Sequence, residues 1–282
     1  MGAFRRFLIT LSYVTSLPIK LHFGSASGSD NTDSNGKTNG SHSSSDGQTA
    51  ELAGLAKYLP AAGLTISTIL VGLAALLLFK LHAPYLVTGP VLAIAWLCLT
   101  GGLHFDGLMD AADGVFSHRD RERMLEIMMD SRVGNFGAIT GMAVLILKCA
   151  TLASLVSHPT LLLGTLAIVP AWARWCELYA IGRFPYARET GKGKIWHDST
   201  RMPNDLITGM VLPLVVTGVV ANLTGLMSIL PVVAFVIASG MTASHWLASH
   251  IKGHTGDTYG AVVELAETGG LLLLSCITMS SP

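Results

Sequence analysis

Seven apolar stretches, near residues 59–79, 84–103, 136–157, 160–181, 206–224, 228–248 and 261–279, decide what this chain can fold into. Each approaches the roughly 20 residues that an α-helix needs to cross the hydrocarbon of a bilayer. Soluble domains carry about 25% charged residues. Here 13% are charged and 50% hydrophobic, which leaves little polar surface to cover seven such helices. The expected fold is an all-α, polytopic membrane bundle of about seven transmembrane helices, with its backbone polar groups satisfied inside each helix. The fourth run carries Arg174 and Glu177, and the seventh opens on Glu264 and Glu267, so either could be buried, interfacial or broken instead.

If the runs thread the membrane alternately, the N-terminus and the loops 104–135, 182–205 and 249–260 share one face. Those segments hold fifteen of the eighteen Lys and Arg residues; the opposite face has Lys80, while Lys148 and Arg174 lie within spans. By the positive-inside rule the charged face is expected to be cytoplasmic, in the inner (plasma) membrane, with the C-terminus outside. Nearly every acidic residue falls on that face too, which charge sorting does not require and which suggests a polar working site. Cys98, Cys149, Cys176 and Cys276 sit singly in apolar runs, so no zinc site or disulfide framework is evident.

Residues 1–23 combine Arg5 and Arg6 with a short apolar run broken by Pro18. An interfacial N-terminal helix is expected there, with a cleaved signal as the alternative. Residues 24–50 are almost wholly Ser, Gly, Asn, Asp and Thr, a composition expected to stay disordered. The remainder, 51–282, reads as one membrane-embedded domain.

The stretch GGLHFDGLMDAADGVF at 101–116 places Asp106, Asp110 and Asp113 at i, i+4 and i+7. If the second span continues helically through them, they share a face about 60° wide. Three carboxylates so close repel, and a divalent cation removes the conflict. Mg²⁺ takes carboxylate oxygens while keeping waters and substrate phosphates in its other positions, so this face is a natural cradle for a Mg-diphosphate. His104 and four glycines flank it. Next, RDRERMLEIMMD reads as an amphipathic helix whose Arg119–Arg123 charges are most simply solvated. Asp130, Ser131, Arg132 and Gly134 follow at the start of the third span, a group able to bind metal and phosphate oxygens. The loop GRFPYARETGKGKIWHDSTRM interleaves Arg188, Lys192 and Lys194 with Gly191 and Gly193, a composition suited to a polyanion as well as to charge sorting. The last loop gathers His254, Thr255, Asp257, Glu264 and Glu267. Carboxylates early in a span are functional suspects unless they pair with Arg174 or Lys148.

Five segments resemble the cobalamin synthase (adenosylcobinamide-GDP ribazoletransferase) family: LPAAGL at 59–64, GGLHFDGLMDAADG at 101–114, RDRERMLEIMMDSRVGNFG at 119–137, ARETGKGK at 187–194 and GHTGDTYGAVVELAE at 253–267. LPAAGL is a loose match, and 24–50 looks like an insertion. The resemblance implies that α-ribazole, or its 5′-phosphate, attacks the cobinamide-linked phosphoryl of adenosylcobinamide-GDP, with Mg²⁺ required and GMP leaving. It further implies Mg²⁺ on Asp106 and Asp110, with Asp113 as third ligand or outer partner. Asp130 or Asp257 would hold a second ion or accept the proton. Arg132, Arg188, Lys192 and Lys194, with His104 and Thr255, would bind substrate. Implied partners are these two substrates, the lipid bilayer and other cobalamin-assembly enzymes, with no nucleic acid. The rivals are another Mg-diphosphate membrane transferase, of the CDP-alcohol phosphotransferase or prenyltransferase type, and a cation-coupled transporter.

Overall fold

The computed structural model describes residues 2–19, 54–224 and 226–279, so the polar stretch 24–50 lies outside the described residues. Among the described residues are eleven α-helices and no strand beyond one isolated bridge between Tyr186 and His254. In order they are α1 (Ala3–Val14), α2 (Leu59–Ala75), α3 (Tyr85–Leu99), α4 (Leu103–Val115), α5 (Arg121–Ile127), α6 (Asn135–Ser154), α7 (Pro159–Arg183), α8 (Lys192–Ser199), α9 (Asn204–Thr224), α10 (Leu226–Ile251) and α11 (Gly256–Met279). Six of them, with short extensions, are long and apolar enough to cross a membrane, and α3 with α4 makes a seventh, bent candidate. The chain is thus a multi-pass membrane bundle.

The two charged, weakest runs turn out to be the innermost helices. In α7, 78% of the apolar window is buried, and in α11 67%, against 28–39% in the other four long spans. The outer helices instead turn large apolar side chains outward, such as Ile139 and Ile146 on α6 and Val211 and Val215 on α9, as a lipid-facing surface requires.

Charge inside this bundle is paired. Lys148 Nζ of α6 donates to Glu264 Oε2 and Glu267 Oε2 of α11, both at 2.6 Å, and Arg174 Nη1 of α7 donates to Glu267 Oε1 at 2.8 Å. Lys148 also lies 5.0 Å from the ring centroid of Trp96 on α3. Glu264 and Glu267 therefore take the packing role that was the alternative to a functional one, and the network ties four helices together.

One sequence expectation is corrected. The second span does not continue through the aspartates: α3 stops at Leu99, and α4 leaves at 89° to it. The elbow needs two consecutive left-handed residues, Gly101 at φ 61° and Gly102 at φ 75°, which lack the Cβ that would oppose such a turn. Asp106, Asp110 and Asp113 still share one helix, but that helix runs across the end of the bundle.

Candidate active site

Two glycines bring α4 against the start of α11. A Cβ on Gly107 would sit 2.7 Å from the Asp257 carbonyl oxygen, and one on Gly260 would sit 2.8 Å from the His104 carbonyl oxygen. The backbones meet at this distance only because both side chains are missing, and the contact delivers Asp257 beside the aspartate helix. Thr255 and Thr258 close the N-terminus of α11 reciprocally: Thr255 N–H donates to Thr258 Oγ1 at 2.8 Å, and Thr258 N–H to Thr255 Oγ1 at 3.3 Å.

Backbone stitching brings in the basic loop. Ala187 N–H donates to His254 O at 2.7 Å, and His254 N–H to Pro185 O at 2.9 Å. Arg121 of α5 fastens both segments, its Nε donating to Ile251 O and its Nη2 to Ala187 O, each at 2.7 Å. Arg121 is therefore a tether, where composition suggested only a solvated face. The result is an ion pair between Arg188 Nη2 and Asp257 Oδ2 at 2.9 Å, with Thr255 Oγ1 donating to the same oxygen at 3.2 Å.

A cavity of about 280 Å³ opens here. Asp106, Asp257, Arg188 and Lys192 line it, together with His104 and Glu177; Tyr13, Tyr186, Trp196 and Tyr259 supply aromatic walls. Exposure grades across it, from exposed Asp106 to buried His104, Glu177 and Tyr259. Burial pushes the Tyr186 phenol above its usual range, so it stays protonated and a donor at neutral pH. A second groove, of about 1020 Å³, adjoins the cavity at Gly191 and carries Arg6, Lys57, Lys194 and Arg201.

The candidate residues divide between several places. Among the described residues neither Asp106 nor Asp110 takes a hydrogen bond or an ion pair, and Asp106, Asp257 and Asp110 are close enough to repel one another. Asp113 is occupied differently. Gly134 N–H donates to its Oδ2 at 2.7 Å and Gly137 N–H to its Oδ1 at 2.8 Å, so it caps the first turn of α6 and leaves the free pair. Accordingly, among the described residues no group of three His, Cys, Asp or Glu side chains is placed to hold a metal ion. Two unpartnered carboxylates one turn apart nevertheless fit Mg²⁺, which is usually bound by one or two carboxylates with waters and substrate phosphates completing its shell. Asp130 and Arg132 pair with each other at 2.6 Å and do not line the cavity. That contact holds the Asp130 carboxyl down to about 2. Lys194 pairs with Asp198 at 3.0 Å and faces the larger groove.

Sequence reasoning passed over Glu177, treating it as a weakness in a span. The rule that flagged Glu264 and Glu267, an acid inside an apolar run, would have flagged it too. Tyr13, Tyr186, Trp196 and Tyr259 gave no signal, because an isolated aromatic in an apolar chain looks like core.

Comparison with known proteins agrees with the motif resemblance. The family model described as cobalamin-5-phosphate synthase matches residues 6–275. An adenosylcobinamide-GDP ribazoletransferase of Thermosynechococcus vestitus is 40% identical over 239 residues, covering 82% of this chain and 88% of its own. Enzymes of the same description from Roseiflexus sp. (strain RS-1) and Desulfitobacterium hafniense are 40% and 39% identical, each over 80% of this chain, and over 80% and 86% of their own. No solved structure matches the chain.

Proposed function

The chain belongs to the cobalamin-5-phosphate synthase family, and from that premise we propose that it joins adenosylcobinamide-GDP to α-ribazole, or α-ribazole 5′-phosphate, releasing GMP. The observation that carries the reading is the juxtaposition of the free Asp106 and Asp110 carboxylates with Arg188 and Lys192 at one end of a membrane bundle. Phosphoryl transfer asks a protein for little covalent chemistry and for much positioning and charge neutralisation. A ribazole hydroxyl forms the new O–P bond at the cobinamide-linked phosphorus, while the bridging P–O bond to GMP breaks. Its proton passes to a carboxylate.

Asp106 and Asp110 would hold Mg²⁺, which supplies charge neutralisation on the diphosphate. Arg188 and Lys192 meet the remaining phosphoryl oxygens and the departing GMP. Asp257 is the carboxylate best placed to take the proton: it lines the cavity with Asp106, whereas Asp130 is held by Arg132 outside it. When substrate oxygens attract Arg188, its partner Asp257 is released to act as a base. The adjoining groove of about 1020 Å³ is the larger of the two spaces, against about 280 Å³ for the cavity, and would take the corrinoid.

The charge asymmetry of the loops supports an orientation with this end in the cytoplasm of a cell whose inner membrane holds the protein. The test uses full-length protein in membranes, supplied with adenosylcobinamide-GDP, α-ribazole and Mg²⁺. Mass spectrometry should find the cobamide, with GMP released in equal amount, and Asp106→Asn should lower turnover at least about 100-fold. Folded Asp106→Asn protein with near-normal turnover at saturating Mg²⁺ would remove the metal assignment.

A further inference from the structure

Three buried polar side chains face the cavity of about 280 Å³. Among the described residues, both ring nitrogens of His104, Oε2 of Glu177 and Oη of Tyr259 lack a hydrogen-bond partner, although these residues are only 2%, 7% and 4% exposed. Proteins rarely bury polar atoms without partners, and an exception calls for a reason. His104 Nε2 and Glu177 Oε2 stand 3.9 Å apart, too far for a direct hydrogen bond but near enough to hold adjacent atoms of one ligand edge. The set is mixed in character, a carboxylate acceptor beside a phenol and an imidazole. Its surroundings are aromatic: Tyr13 and Trp196 have ring centroids 5.3 Å apart, and Tyr186 and Tyr259 6.4 Å. Such a site, flat-walled with a few convergent polar groups, suits a planar heterocycle that presents donors and acceptors on one edge.

The geometry points to this cavity as the guanine subsite: Glu177 accepts from the N1–H and 2-amino group of the base, and Tyr259 and His104 serve its O6 and N7. This assignment rests on the ribazoletransferase reading, which places a guanosine diphosphate at Asp106, Arg188 and Lys192 on the same cavity. The other bases in that reaction fit worse. A benzimidazole offers one ring acceptor and no donor, so Glu177 would stay unsatisfied. Adenine turns an acceptor, N1, toward the carboxylate where guanine turns a donor. Of the three, guanine alone satisfies the carboxylate with two donors and gives the phenol and imidazole an acceptor each.

Equilibrium dialysis of the full-length protein in detergent micelles, with radiolabelled GMP, IMP and AMP, tests the assignment. IMP keeps O6, N7 and N1–H but lacks the 2-amino group. Wild-type protein should bind GMP at least about tenfold more tightly than IMP, and AMP more weakly still, since a polar site rejects a ligand that leaves its groups unpaired. Glu177→Gln should weaken GMP at least about tenfold and bring the GMP to IMP ratio near one, while leaving α-ribazole binding unchanged. Tyr259→Phe should weaken GMP and IMP alike, and it carries the test if Glu177→Gln does not fold. Equal binding of GMP and IMP by wild-type protein overturns the assignment. So does a Glu177→Gln variant that loses α-ribazole and keeps GMP, which would make the cavity the pocket of the attacking base. Selective GMP binding by a protein that forms no cobamide would leave the subsite standing and remove the reaction.

Discussion

Replacing Lys148 by methionine probes the charge network at the centre of the bundle. Lys148 lies 13 residues into α6, about 20 Å along it at a rise of 1.5 Å per residue, deep in the apolar layer. It and Arg174 carry two positive charges against the two negative charges of Glu264 and Glu267. Methionine fills nearly the same volume without charge. Glu267 keeps Arg174 at 2.8 Å, but Glu264 loses the ion pair at 2.6 Å and, among the described residues, makes no other ion pair. Removing one member of a buried pair costs about 3–5 kcal/mol, because the other is stranded. Glu264→Gln alone should cost only about 1–2 kcal/mol, since Lys148 retains Glu267. The double variant Lys148→Met/Glu264→Gln removes both charges and should regain at least half of the single loss. Reversible unfolding in mixed micelles of rising SDS content gives all four corners of the cycle. A Lys148→Met midpoint indistinguishable from wild type, or a double variant no more stable than Lys148→Met, would refute the view that these charges are held by each other.

Three further outcomes follow from the geometry. Asp113→Asn turns an amide N–H toward one of the donors at Gly134 and Gly137, so stability should fall by about 1–2 kcal/mol while the Mg²⁺ concentration for half-maximal turnover stays unchanged; a tenfold rise in that concentration would make Asp113 a ligand after all. Gly107→Ala puts a Cβ 2.7 Å from the Asp257 carbonyl oxygen and should lose about 1–3 kcal/mol of stability together with most turnover; Gly72→Ala, with nothing within 4 Å, should lose neither. Arg132 depresses the Asp130 carboxyl to about 2, so its ionised form favours the folded state above the ordinary carboxylate range, near 3.9, and that contribution disappears as pH falls toward 2. Melting curves of wild type and Asp130→Asn should therefore stay at a constant offset from pH 5 to 8 and converge in acid, and turnover should show no titration from Asp130 in the neutral range.

The apolar runs were readable because hydropathy sums over a window, and a span needs only enough apolar residues in a row. The same averaging hid the elbow at Gly101 and Gly102, which belongs to two backbone angles. It also made α7 and α11 look like the poorest spans, when their charges mark them as the innermost. Arg174 and Glu267 are 93 positions apart in sequence and 2.8 Å apart in space, a pairing that no local window reveals. The i, i+4, i+7 spacing correctly grouped three aspartates on one helix, but a periodicity cannot say which neighbour each side chain will meet. Asp113 met the amides of α6, and Asp257 arrived beside Asp110 through the glycine contact at Gly107. Glu177 was legible as an acid inside an apolar run, but the cavity it faces is built from segments far from it in sequence, which no local pattern reveals.

The aspartate helix carries two kinds of carboxylate that look alike on paper. Asp113 is a fastener, bolting the far end of α4 to the start of α6, and its negative charge is spent on that joint. On the proposed reading this helix therefore offers the nucleotide a formal −2, which one dication would cancel, so the negatively charged diphosphate would have to find its counter-charge elsewhere. Lys192, and Arg188 once it parts from Asp257, are the cations lining that cavity, and the grip on the phosphates should consequently weaken with rising ionic strength even when the divalent ion is saturating.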